Sequence, residues 1–400
     1  MTNAQRGRRA RGDGGYRLRG ESWELKFPAT DPVTGLRKFR YVTFKGTETA
    51  ARSKLRELVK QAEDGAFIAG SRQTLSDMLE AWDKTLTVSP KTAERYRELV
   101  RLHIRPHLGD MKLQALRPPR IEAFYNDLRA GRAADGKNGR RPLAPLTIRH
   151  IHRVLLNVLA IAERDGLIPS NPARKAARPQ VERAEVEILT EDQVRDVLAK
   201  LRGRNVMQSL PMFLLAALGL STGMRRGEML AVRWRDVDLD QRELKVQQSI
   251  EQTKEGLRVK APKTKRGRRT ISLPDFLVRE LRAHKASQNA ERLALGLGKD
   301  SADALVLRRP DGSPLAPDNV SSEWRKTVDA LKLPKVSLHA LRHTHASQLI
   351  ASGMDILTIS RRLGHSAPSI TLDVYSHLFK PSDGGAAAVI DKAFGALRGE

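Results

Sequence analysis

The chain has 400 residues, enough for two or three domains with ample core. Its 72 Lys+Arg against 46 Asp+Glu give a formal charge of +26, which favours nucleic acid as partner over an anionic membrane surface. The absence of cysteine excludes disulfides and thiolate metal sites, and the longest apolar run, Leu210 to Leu220, is about half a membrane span.

Residues 1–20 are rich in Gly and Arg and read as a mobile basic tail with no apolar signal segment behind it. Residues 21–70 read as a small sheet plus one helix. Trp23, Leu25 and Phe27 alternate with polar residues, the turn signal "DPVTG" follows, and "RKFRYVTF" (Arg37 to Phe44) returns as the second arm of a hairpin. A helix runs from Thr49 to near Gly65.

Residues 72–172 read as a helical domain. Thr74 and Asp77 form a weak capping pattern. Tyr96, Leu99, Val100 and Ile104 recur at helical spacing, and Pro118 and Pro119 stand where a helix start tolerates them. "LTIRHIHRVLLNVLAIAERDGLI" is the strongest helix and ends at "PSNP". A polar linker is expected over 173–187.

The third domain, 188–380, opens on a capping box at Thr190 and Gln193. "ELKVQQSI" and "RRTISLP" read as strands, with "APKTKRGRR" as a basic turn between them. Residues 381–400 read as a tail: the glycines of "SDGG" form a hinge, and Ile390, Phe394 and Leu397 make one apolar stripe on a short helix.

Four stretches of the third domain carry candidate chemistry. In "STGMRRGEMLAVRWRDVD", Arg225 sits on a Gly-bounded turn, with Glu228 three residues on to fix its guanidinium. "APKTKRGRRTISLP" places Lys263 and Lys265 at a hairpin tip. "HALRHTHAS" holds His339, Arg342, His343 and His345. In "LGHSAPSITLDVYSHL", His365 precedes Tyr375 by ten residues. Each has an ordinary reading as surface arginine, solvated turn, satisfied histidine or core tyrosine. Three histidines at these spacings also allow a zinc site, although His339, His343 and His345 do not share one helical face.

Together and in this order, TG-x-R-x-x-E, a hairpin lysine, H-x-x-R-H and LGH ten residues before a tyrosine resemble the tyrosine recombinases, in particular the phage-type integrases. The resemblance implies a multi-domain chain that is mainly α with small β-sheets. It would comprise an arm-type DNA-binding domain, a helical core-binding domain and an α+β catalytic domain. It implies DNA strand exchange through a covalent 3′-phosphotyrosine, integrating or excising a mobile element. Tyr375 would be the nucleophile. Arg225, Arg342 and His365 would hold the phosphate, and His339 would also accept the tyrosine proton. Lys263, rather than Lys265, would protonate the leaving oxygen, and Glu228 and His343 would support. No cofactor or metal is implied. The implied partners are duplex attachment sites, a homo-tetramer on paired sites, a directionality factor and a host DNA-bending protein, all in the bacterial cytoplasm at the nucleoid. The competing readings are a type IB topoisomerase-like strand relaxase and a catalytically silent DNA-binding regulator.

Overall fold

The computed structural model describes residues 14–30, 36–64, 71–133, 141–181, 186–203, 211–262, 265–379 and 384–394. They fall into two units, Met1–Arg183 and Ala184–Glu400. Among the described residues, no helix is long and apolar enough to cross a membrane.

The first unit begins with an antiparallel sheet of β1 (Gly15–Arg19), β2 (Ser22–Thr30) and β3 (Arg37–Phe44), in that order. The expected hairpin is β2–β3. The tail expectation is corrected at Gly15–Arg19, which pairs with β2 so that Tyr16 faces Leu25 and Leu18 faces Trp23. Composition hid this strand, because two apolar residues among arginines are too few to show a period. Leu25 and Phe27 are fully buried against Ala51, Leu55 and Leu58 of α1 (Glu48–Glu63). Thr47 caps α1 by accepting the Ala50 amide.

The helical part follows: α2 (Leu75–Lys84), α3 (Pro90–Leu99), α4 (Arg105–Leu108), α5 (Pro118–Ala130), α6 (Pro145–Arg164) and α7 (Pro172–Lys175). The Thr74–Asp77 capping box starts α2. Between α3 and α4 the chain makes a π-helical turn, Val100–Ile104. Pro106 lies just beyond it and cannot donate to the preceding turn, so the helix widens there instead of ending. In α6, Ile148, Ile151, Val154, Leu155, Val158, Leu159 and Ala162 form the buried stripe that its periodicity foretold. The expected linker starts too early. Residues Pro172–Lys175 are helical, and Ala173 and Ala176 belong to this core. Small residues after a proline read as linker, yet both alanines are buried in this core.

The second unit contains α8 (Glu191–Gly203), α9 (Met212–Thr222), α10 (Arg226–Met229), β4 (Val237–Asp238), β5 (Glu243–Val246), β6 (Ser249–Thr253), β7 (Gly256–Lys260) and β8 (Arg269–Ser272). It continues with α11 (Asp275–Ala294), α12 (Pro317–Ala330), α13 (Leu338–Ala351), α14 (Ile356–Leu363), α15 (Pro368–Tyr375) and α16 (Gly384–Phe394). The Thr190–Gln193 capping box is present. α9 is apolar on every side because it is buried on nearly every side, packed on α8, α11 and α13.

The expected strand "ELKVQQSI" divides at Gln247 and Gln248 into β5 and β6. β5 lies between β4 and β8, whereas β6 pairs with β7 in a separate two-stranded sheet. The segment carrying Lys265 therefore connects two sheets and is not a hairpin tip. Burial decides this: Ile271 of β8 seats against Leu244 of β5, both inside the core, while Leu257 and Val259 of β7 stay exposed. At the C-terminus, Gly384 and Gly385 begin α16 and do not act as a hinge before it. Leu397 of the expected stripe lies outside the described residues.

Candidate active site

α9 ends on Gly223, whose left-handed φ of +63° turns the chain toward Arg225. A Cβ at this position would come within 2.6 Å of the His345 ring, so only glycine fits. Arg225 then caps α10. Glu228 accepts the Arg225 amide at 3.0 Å and its Nη1 at 2.9 Å, the pairing expected from the spacing.

Glu228 has a second cation that sequence reasoning missed. Arg269 Nη2 donates to its Oε2 at 2.9 Å, and both side chains are buried. Arg269 also donates to Arg362 O and Gly267 O. Burial alone would raise the Glu228 pKa, but Arg269 and Arg225 outweigh it and hold the carboxyl below its ordinary value. The signal for Arg269 was only the last arginine of "KRGRR", indistinguishable there from its neighbours.

α13 starts at Ser337, which caps it through the Ala340 amide. Arg342 points inward and is 2 % exposed. Its Nη1 donates to Gly223 O at 2.6 Å, while its Nη2 is buried with no hydrogen-bond partner among the described residues. Burial and the nearby Arg225 press its pKa down to about 9, so the charge remains at neutral pH without a partner. An unmet buried donor on a cation costs several kcal/mol. The arrangement is favourable once an anion arrives.

His339 lies one helical turn before Arg342 and is exposed at the rim. Its ring stands edge-on to His343 at 4.6 Å. His345 uses both of its ring nitrogens. Its Nδ1 donates to Leu220 O at 2.8 Å, and its Nε2 accepts from Arg362 Nε at 3.0 Å. Both ring nitrogens are thus committed away from His339 and His343, and the three do not form one ligand set.

The "LGH" turn closes the site. Gly364 caps α14 with φ +68°, and a Cβ there would meet Arg269 Nη1 at 2.8 Å. Arg225 Nη2 reaches Gly364 O at 3.4 Å. His365 is buried and bonds Thr371 Oγ1 through Nδ1 at 2.7 Å. Its Nε2 makes no hydrogen bond among the described residues. Burial and then Arg342 hold it neutral, with its pKa down to about 4.

Tyr375 ends α15 and is 1 % exposed. Its hydroxyl lies 2.7 Å from His343 Nδ1. This differs from the expectation that His339 would be its proton acceptor. Burial raises the Tyr375 pKa to about 12, and Arg342 opposes the rise. Beside His365, a cavity of about 310 Å³ is lined by Arg266, Arg268, Arg269 and Arg361. Lys263 lies outside the described residues. Lys265 sits in a single 3-10 turn, Lys265–Gly267.

Arg225, Glu228, His339, Arg342, His343, His365 and Tyr375 thus belong to one cationic site built from three of the four stretches, and the fold adds Arg269 from the fourth. Residues 187–381 match the sequence profile of the phage integrase family, and residues 74–129 that of the phage integrase N-terminal SAM-like domain. A XerC-like tyrosine recombinase of Caldanaerobacter subterraneus subsp. tengcongensis is 27 % identical, over 87 % of this chain and 90 % of its own. An integrase of Streptomyces ambofaciens is 28 % identical over 97 % and 98 %. The fold resembles that of the Tn1549 transposon integrase in complex with transposon right-end DNA (TM-score 0.65, 19 % identity, 81 % of this chain and 100 % of that one). It also resembles a lambda integrase dimer bound to a core site (TM-score 0.53, 19 % identity, 74 % and 97 %). The chain belongs to the phage integrase family and is a tyrosine site-specific recombinase, an enzyme that cuts and rejoins DNA strands through a covalent 3′-phosphotyrosine.

Proposed function

We propose that Tyr375 is the nucleophile of this recombinase and that Arg225, Arg342, His339 and His365 receive the scissile phosphate. The observation that carries this reading is Arg342 Nη2, a buried cationic donor without a partner among the described residues, in the same site as the Tyr375 hydroxyl. A phosphodiester supplies the missing acceptor. Charge accumulating on its non-bridging oxygens in the transition state strengthens the same contacts. Glu228 holds Arg225 and Arg269 in place. Lys263 donates the proton to the leaving 5′-oxygen, with Lys265 as the other candidate. One phosphodiester is exchanged for another, so the chemistry consumes no high-energy cofactor.

The domain plan follows: an arm-type DNA-binding domain at the N-terminus, a helical core-binding domain, a linker and the catalytic domain. The exposed cations of the arginine-lined cavity extend the phosphate track away from the reacting atom. Chains bound at paired attachment sites form a tetramer, steered by a directionality factor and a host DNA-bending protein, in the cytoplasm of a bacterial host at its nucleoid. Ile390 and Phe394 of α16 are about half exposed and give the tail an apolar face for a neighbouring protomer. Phe394→Ala should weaken assembly on paired sites and unbalance cleavage while a single protomer keeps its half-site.

The test is covalent capture. The full chain, incubated with nicked duplexes from the element's ends, should form an adduct whose peptide contains Tyr375 and whose DNA end maps the cleavage position. Tyr375→Phe should form none. An adduct from that variant would overturn the assignment, and an adduct that religates only the original strand would favour the topoisomerase-like reading.

A further inference from the structure

We propose that His343, and not His339, takes the phenolic proton of Tyr375 as the strand is cut; this rests on Tyr375 being the nucleophile. Tyr375 is 1 % exposed and its hydroxyl lies 2.7 Å from its partner, His343 Nδ1. Direction follows from satisfaction. A buried hydroxyl proton needs an acceptor, and among the described residues only Nδ1 is placed to take it. Were Nδ1 protonated instead, the tyrosine proton would be stranded. The lone pair of a neutral imidazole therefore already faces the proton that has to leave, within the distance general-base catalysis requires.

His339 is placed differently. It is exposed, stands edge-on to His343, and makes no hydrogen bond to Tyr375. That position suits a phosphate contact at the rim. The two buried histidines nearby are committed through at least one ring nitrogen, His345 to Leu220 and Arg362, and His365 to Thr371.

The step balances. The Oη–H bond of Tyr375 breaks and its proton goes to Nδ1 of His343. The oxygen pair forms the Oη–P bond. The P–O5′ bond breaks, and its electron pair leaves with the 5′-oxygen, which is protonated by a lysine of the basic segment or by water. In religation a 5′-hydroxyl attacks phosphorus and gives its proton back to that lysine or water, the Oη–P bond breaks, and His343 returns the proton to the departing tyrosine oxygen. Burial, His339 and Arg342 hold His343 near 4, and Tyr375 sits near 12. No tyrosinate stands ready before DNA binds. The proton instead moves as the Oη–P bond forms, because bonding to phosphorus makes the phenolic oxygen far more acidic. The free enzyme thus keeps a nucleophile that is aligned and inert.

Single-turnover adduct formation by the full chain on the nicked duplex tests this. His343→Asn leaves an acceptor oxygen near the Nδ1 position and removes its basicity. Adduct formation should slow by on the order of 10²-fold or more, with DNA affinity unchanged. Placing difluorotyrosine at position 375, a more acidic phenol, should recover about tenfold or more of that loss. His339→Asn should also slow cleavage, but its deficit should not shrink with difluorotyrosine. The inference is overturned if His343→Asn cleaves within about threefold of the unaltered chain, or if difluorotyrosine narrows the His339→Asn deficit. Should His343→Asn not fold, the exposed His339 variant decides by itself through that second outcome. Failure of Tyr375 to appear in the adduct would instead strike the reading beneath.

Discussion

Among the described residues, a buried tyrosine meets a histidine once in each unit. In the helical core, Tyr125 Oη lies 2.8 Å from His152 Nδ1; in the catalytic unit, Tyr375 Oη lies 2.7 Å from His343 Nδ1. Both tyrosines are 1 % exposed, and burial raises the pKa of both. The surroundings separate them. Around Tyr125 are Phe124, the α6 stripe and Glu122, whose charge opposes ionisation further. Around Tyr375 are Arg342 and, beyond it, Arg225 and Arg269, in a site with one cationic donor unmet. A buried tyrosine–histidine pair is a structural fastener by default. An unneutralised cation cluster beside it turns the same pair into a nucleophile and base.

Exchanging the two hydroxyls for hydrogen breaks the comparison most sharply. Tyr375→Phe should abolish the covalent adduct while DNA binding stays nearly intact, as gel separation of crosslinked and free DNA would show. Tyr125→Phe should leave adduct formation unchanged. Losing its neutral hydrogen bond should cost only about 1 kcal/mol in a denaturant titration.

Removing the charges comes next. Arg342→Gln should slow cleavage by on the order of 10²–10³-fold, because one fixed donor to the developing charge is lost. Arg269→Ala leaves Glu228 buried with only Arg225 and should destabilise the catalytic unit by roughly 3–5 kcal/mol, readable by calorimetry. If Arg269→Ala lowered activity and left stability untouched, its role as the second anchor of Glu228 would be wrong.

A smaller and broader effect is acid lability. His343, His345 and His365 are each held near 4 in the folded unit, chiefly by burial and then by neighbouring charges. Unfolded histidine titrates near 6.5. Between about 6.5 and 4 the unfolded chain binds protons that the folded unit refuses, so stability contributed above that window is lost as pH falls through it. In the helical core the depressed histidines are His150 and His152. Melting followed from pH 7 to pH 4 should therefore show the catalytic transition falling more steeply than the helical one. Parallel transitions would contradict these assignments.

Much of this was legible in the sequence because it is local. The Thr74–Asp77 and Thr190–Gln193 boxes, the stripe of α6 and the pairing of Arg225 with Glu228 are all set within one helical turn or one amphipathic face. Charge balance pointed to DNA, and the order of four motifs pointed to the family. What the sequence could not carry is contact between distant segments. Nothing near "KRGRR" says that Arg269 rather than Arg268 reaches Glu228, since that choice comes from β8 pairing with β5. Nothing in "HALRHTHAS" says which histidine meets Tyr375, because the answer depends on how α15 packs on α13. The unmet Nη2 of Arg342 is likewise a property of three-dimensional burial. Spacing along a helix fixes which side chains share a face, but only tertiary packing fixes what each face meets, and reactivity depends on that meeting.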